Sequence, residues 1–303
     1  MKKILVTGAT GKIGSGLISK LAVHKKLCVR AFVRNPKKAA HLSSYINELF
    51  IGSFEDEGSI KEAVNGIDTV VLITHQNPQA AVQARSVIKA AKEAGVRKIV
   101  RISVFQASVD GPTEVTRLHG QTDKEIMESG MTYSILRPPF FMQNLFFMAA
   151  PGIIKERKFQ FGTGEGKIGM IDLRDIVDCA EQCVISDLQN NKIYTLTGPE
   201  SLNFYDLATQ LTQVLELPVQ FIDVSPETVE QSILKIGMGN WYAEVLRDLC
   251  KVYRKNWGDV VTNDVTEITG HAPRSFDNFA REIFAPAVLK ELPRLQETEV
   301  LES

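Results

Sequence analysis

Three glycines with G-x-x-G-x-x-G spacing stand in Val6-Thr7-Gly8-Ala9-Thr10-Gly11-Lys12-Ile13-Gly14. An apolar run precedes them and a helical pattern follows. In that arrangement backbone N–H groups and a helix N-terminus meet a pyrophosphate. Gly8 then makes the turn, Gly11 lets the backbone approach the phosphates, and Gly14 lets helix pack on strand. An NAD site places an acid about 20 residues further on, for the ribose 2′-hydroxyl. Here Arg34 holds that place, in Phe32-Val33-Arg34-Asn35-Pro36-Lys37-Lys38, so cations stand where the acid would be. A guanidinium stacks on adenine and pairs with a 2′-phosphate. The expected cofactor is NADPH, with Arg34 the main discriminator and Lys12 or Lys37 assisting.

A second group of residues suits a substrate. Phe140, Phe141, Met142, Phe146, Phe147 and Met148 are dense in rings and thioethers. Such side chains make an adaptable apolar wall for a flat ring, although aromatic-rich stretches more often build core. Asn144 and the glycine-rich stretch 162–169 could close over that wall; the glycines equally suit a plain hairpin. Cys179 and Cys183 share a helix face by their spacing, but no Cys-x-x-Cys or His-x-x-x-His accompanies them. They read as small buried residues, and neither a metal site nor a flavin site is expected.

These residues need strands and helices to position them. Apolar runs of strand length fall at Lys3–Thr7, Leu27–Val33, Leu49–Ile51, Thr69–Ile73, Lys98–Ser103 and Thr132–Arg137. Helical patterns alternate with them near Lys12–Val23, Pro36–Leu42, Ser59–Val64, Gln79–Ala94 and Glu114–Glu128. Alternating β and α with continuously apolar strands predicts an α/β fold, a parallel sheet covered on both faces. Gly66, Gly95 and Gly130 each follow a helical run, where a left-handed C-cap wants glycine. A helix (Asp175–Ile185), a strand (Lys192–Leu196) and a helix (Tyr205–Leu215) come later, and the rest to about Ala285 reads as mostly helical. Residues 288–303 carry four glutamates and little periodicity, which predicts a frayed tail.

The bulk composition narrows the function classes. The 303 residues carry a net charge of −1, which argues against nucleic-acid or anionic-membrane binding. No apolar stretch has the length of a membrane span, and four cysteines without framework spacing fit a reduced, cytoplasmic protein.

Several segments together resemble the NmrA-like family of atypical short-chain dehydrogenases: VTGATGKIG, AFVRNPKKA, VRKIVRISV, SGMTYSILRPPFFMQN, IYTLTGPESLNFYDLA and TNDVTEITGHAPRSFDNFARE. The likeness spans essentially the whole chain and is strongest to the branch with NADPH quinone reductases and triphenylmethane dye reductases. It implies a Rossmann-like, doubly wound domain over residues 1–150, with a contribution from about 170–198. A smaller, mostly helical substrate region over 151–303 would complete it, with substrate in the cleft between.

The resemblance also implies cofactor contacts at Gly8, Thr10, Gly11, Ile13 and Arg34, with Thr74 and Ser103 facing the nicotinamide. Where relatives carry Gly-Asp after the third strand, this chain has Gly52-Ser53, so the Ser53 hydroxyl would replace the acid at the adenine. Short-chain reductases use Tyr-x-x-x-Lys on the helix after the fifth strand. Here His119 takes the tyrosine's place and Asp123 the lysine's. A quinone needs alignment over the nicotinamide more than it needs a proton donor, so lack of the pair does not entail lack of activity. His119 is the candidate catalytic group, the alternative being a helix histidine bonded to a neighbour or solvent. The expected function is hydride transfer from NADPH to a quinone or similar flat aromatic. The alternatives are a non-catalytic NADP(H) sensor with a regulatory protein partner, and a biosynthetic reductase or isomerase. A homodimer is compatible with each.

Overall fold

The computed structural model describes residues 1–292 and divides the chain into two compact units. The first comprises Met1–Pro138, Leu173–Leu196 and Asp264–His271. The second takes Pro139–Asp172, Thr197–Asn263 and the described residues from Ala272 onward.

The strands are β1 (Lys2–Val6), β2 (Leu27–Val33), β3 (Glu48–Ile51), β4 (Thr69–Leu72), β5 (Lys98–Ile102), β6 (Thr132–Leu136), β7 (Lys158–Phe161), β8 (Lys192–Tyr194) and β9 (Gln220–Asp223). Seven of them form the sheet of the first unit in the order β3-β2-β1-β4-β5-β6-β8, every neighbour parallel. This is the predicted doubly wound α/β sheet. The chain turns from one side of β1 to the other between β3 and β4, so the switch point lies between β1 and β4, where such sheets leave a crevice at the strand ends.

Helices α1 (Lys12–Leu21), α2 (Glu57–Val64), α3 (Ala80–Glu93) and α4 (Glu114–Glu128) connect the strands. Helix α1 buries Ile13, Gly14, Leu17, Ile18 and Leu21, the three-and-four spacing of one apolar face. Gly66, Gly95 and Gly130 do take positive φ after α2, α3 and α4. The predicted helix at Pro36–Leu42 is a 3₁₀ segment, entered through the Asn35 side chain, which accepts from the Lys37 amide.

The second unit is mainly helical, but it also contains the parallel pair β7–β9, absent from the sequence reading. Phe159 pairs in register with Phe221, and both pack on the fully buried ring of Phe204, with centroids 6.3 and 5.4 Å away. The 162–169 stretch makes no hairpin. A Cβ at Gly166 would lie 2.0 Å from the Tyr253 carbonyl oxygen, and one at Gly169 2.0 Å from that of Val260. Close backbone packing explains these glycines. Residues 288–292 continue the last helix, with Val288 buried, and the rest of the predicted tail lies outside the described residues. Among the described residues no helix is long and apolar enough to cross a membrane.

Candidate functional site

Thr7 fastens the switch point. Its hydroxyl accepts from the Ile73 amide at 2.9 Å and donates to the Ile73 carbonyl at 3.0 Å, tying the end of β1 to the end of β4. The next residue, Gly8, has φ +59° and lies so close to Ile73 that a Cβ would stand 3.0 Å from it. Gly14 is tighter still, its Cβ position only 2.4 Å from the Gly8 carbonyl oxygen. Gly11 is the N-cap of α1, where no side chain caps the helix and no acid stands in the first turn. The helix therefore offers backbone N–H groups and the positive end of its dipole to an anion. Ile13 is buried beneath this turn and Lys12 is exposed at its surface.

A cavity opens beside that turn. It brings together Gly8, Thr10, Arg34 and Ser53 of the sequence candidates. Phe32 and Phe54 line it too, stacked at 5.9 Å, an apolar shelf suited to a flat ring. Four polar residues that the sequence reading missed complete the wall: Glu55, His75, Asn77 and Gln83. Asn77 donates to Gln83 at 3.1 Å, and Gln83 donates to Glu55 at 2.6 Å. The Ser53 hydroxyl is the main cause holding the Glu55 carboxyl below its usual range, with Arg34 adding to it. An acid thus stands two residues beyond Ser53, and Gly-Ser-Phe-Glu was its only sequence signal. Gly11, Lys12, Ile13, Gly14, Lys37, Thr74 and Ser103 are not in the cavity lining.

The candidates at the ends of β4 and β5 belong to a buried polar cluster. Ser103 donates to Asp123 at 2.8 Å, and Arg137 reaches the same carboxylate oxygen from two nitrogens at 2.9 and 2.8 Å. Arg101 donates to the Thr74 hydroxyl at 3.1 Å and meets His119 Nδ1 at 3.2 Å. A guanidinium only donates, so Nδ1 accepts and His119 carries its proton on Nε2. Burial first, then Arg101 and Arg137, hold the His119 pKa well below its usual value, so the ring is neutral. Burial raises the pKa of Asp123, against the pull of both guanidiniums.

The aromatic candidates fall in the second unit and separate by burial. Phe140 and Met142 are core residues, 7% and 1% exposed, and Phe140 packs edge-on against Phe204 and Tyr253. Phe141 and Asn144 are half-buried, while Phe147 is exposed. Asp175, Asp178 and His271 could each offer a ligand atom to a metal, but the Lys20 ammonium already ion-pairs with Asp178.

The family model that matches the chain is described as NAD(P)H-binding and covers residues 8–161. An NAD(P)H azoreductase of Xenophilus azovorans is 32% identical over 92% of this chain and 96% of its own. Quinone oxidoreductase 2 of Escherichia coli is 29% identical over 81% of this chain and 86% of its own. The crystal structure of that NADPH-dependent enzyme with NADPH aligns at a TM-score of 0.84, with 26% identity, over 93% of this chain and 99% of its own. NmrA, a negative transcriptional regulator solved with NADP, shares the fold at a TM-score of 0.78 and 19% identity, over 95% of this chain and 97% of its own.

Proposed function

The chain belongs to the NAD(P)H-binding family, and from that premise we propose that it is an NADPH-dependent reductase acting on a quinone, an azo compound or a similar flat, electron-poor aromatic. The observation that carries this reading is the cavity in which the glycine turn and Arg34 meet. Gly8, Thr10, Gly11, Ile13 and Gly14 suit the pyrophosphate, because the uncapped α1 N-terminus and the tight glycine packing leave room only for backbone to meet it. Arg34 pairs with the 2′-phosphate, assisted by Lys12 and Lys37, and Ser53 with Glu55 faces the adenine over the Phe32–Phe54 shelf. Thr74 and Ser103 stand toward the nicotinamide.

The bound dihydronicotinamide supplies the hydride. The chain's own contribution is alignment and electrostatics. His119, held neutral with its proton on Nε2, polarises an acceptor oxygen or nitrogen as a hydrogen-bond donor rather than as an imidazolium acid. Phe141, Asn144 and Phe147 are the substrate-side residues, with Phe140 and Met142 supporting them from the core. The relatives' names, an azoreductase and a quinone oxidoreductase, support the acceptor class.

One observation favours a second reading, an NADP(H)-responsive regulator with a protein partner. Arg101 engages His119, and Ser103 and Arg137 engage Asp123, the two residues that the sequence resemblance sets at the tyrosine and lysine positions. A single experiment separates the two readings: oxidation of NADPH and of NADH across a panel of quinones and azo dyes, by wild type and Arg34→Asp. The reductase oxidises NADPH faster than NADH with at least one acceptor, and Arg34→Asp reverses that order. Protein that binds NADPH and oxidises it with no acceptor is the regulator.

A further inference from the structure

The charges in the buried cluster at the ends of β4, β5 and β6 do not balance. Arg101 on β5 is 1% exposed, yet its hydrogen-bond acceptors are all neutral: the Leu72 carbonyl at 3.2 Å, the Thr74 hydroxyl and His119 Nδ1. Its Nε has no partner. The neighbouring carboxylate, Asp123, gives its Oδ2 to Arg137 and Ser103 and acts on Arg101 through charge alone, with no hydrogen bond between them. Two guanidiniums, of which Arg137 is partly exposed, share one carboxylate beside a neutral imidazole, so the cluster keeps one net positive charge. Burial drags the Arg101 pKa down to about 10, which still leaves it protonated at neutral pH.

An unbalanced buried cation is costly, and hydrocarbon of the same volume on a central strand would be cheaper. Its location suggests what it does. Thr74 and Leu72 flank Ile73, and both Ile73 and His75 line the cavity, so the guanidinium stands directly behind the strand end that forms the cavity wall. In a doubly wound sheet that strand end faces the bound dinucleotide.

We propose that Arg101 is a positioning residue for the redox end of the cofactor: it fixes the Leu72–Thr74 strand end and supplies the uncompensated charge that makes the protein hold NADPH more tightly than NADP+. The proposal rests on the reading of the site as an NADPH site. The two cofactor forms differ by one positive charge on the nicotinamide ring, and a cation buried nearby acts selectively against the oxidised form. Bound NADPH would supply a hydride, two electrons with one proton, to the acceptor, which would take its second proton from water. Arg101 would act on the positive charge that the oxidised cofactor then carries and favour its release.

The test is direct titration of NADPH and of NADP+ into wild type, Arg101→Met, Arg101→Lys and Asp123→Asn, each checked for folding by circular dichroism. The measured quantity is the ratio of the NADP+ to the NADPH dissociation constant. Arg101→Met lowers that ratio about tenfold, the effect of one unit charge acting through protein. Arg101→Lys restores most of it. Asp123→Asn removes a negative charge and moves the ratio the opposite way, so the proposal stays decidable if Arg101→Met fails to fold. Equal weakening of both forms in Arg101→Met, or a ratio that does not rise in Asp123→Asn, overturns the proposal. Wild type that binds neither form removes the NADPH reading and this proposal with it. Wild type that binds both but reduces no acceptor contradicts only the reductase reading, because the ratio needs no turnover.

Discussion

His119 and Asp123 lie one helical turn apart on α4 and are buried beside the same pair of guanidiniums; burial lowers the pKa of His119 and raises that of Asp123, while the guanidiniums pull both down. For His119 the consequence is a dependence of stability on pH. Its folded pKa lies well below the unfolded value of 6.5, so the folded state binds fewer protons than the unfolded one as pH falls through 6.5. The stability it contributes is therefore complete above that value and is lost as pH falls from there toward the folded pKa. Urea denaturation at about pH 7.5 and about pH 5.5 isolates the effect by comparison with His119→Gln, which keeps an acceptor for Arg101. Wild type is expected to lose about 1.4 kcal/mol more than the variant over that interval. Parallel losses in the two proteins would show that His119 is not held neutral by the fold.

Helix α4 is placed by two features at its start. A capping box joins Thr113 and Thr116, which stabilises the helix by about 1 kcal/mol. Gly120 then lets the helix lie against the loop before it: a Cβ there would stand 2.1 Å from the Ser108 carbonyl carbon. Backbone cannot yield as a flexible side chain does, so Gly120→Ala is expected to cost about 1–3 kcal/mol, read as a lower thermal midpoint. An unchanged midpoint would mean that the helix and loop are not packed as described. At this scale much was legible in the sequence. Strands β1 to β6 are apolar runs alternating with helices, three of which end in a glycine, and the turn at Gly8–Gly14 announces its own purpose. What escaped were features without local periodicity. β7 and β9 have four residues each and are strands because Phe159, Phe161 and Phe221 pack around Phe204. Glu55, Asn77 and Gln83 meet in the cavity from two loops and a helix, a convergence no single window of sequence displays. Arg101 sat within a run read simply as an apolar strand; its charge in a central strand was the signal that partners must be waiting for it.

At the scale of the whole molecule, the first unit carries the dinucleotide-binding features and the second an aromatic core with Phe141 and Phe147 at or near its surface. A net charge of −1 gives the chain no bulk attraction for polyanions, so recognition of a charged cofactor falls to local features, the α1 N-terminus and Arg34. The same scaffold hosts enzymes and a regulator among its structural neighbours, and fold alone does not separate them. The decisive measurement is a single-turnover reaction: protein saturated with NADPH, or with NADPH deuterated at the transferred position, is mixed with a quinone or azo acceptor while the loss of dihydronicotinamide absorbance is followed. The account predicts acceptor-dependent loss in one phase, slowed severalfold by deuterium. Protein that holds NADPH and shows no acceptor-dependent loss with either class of acceptor would contradict it.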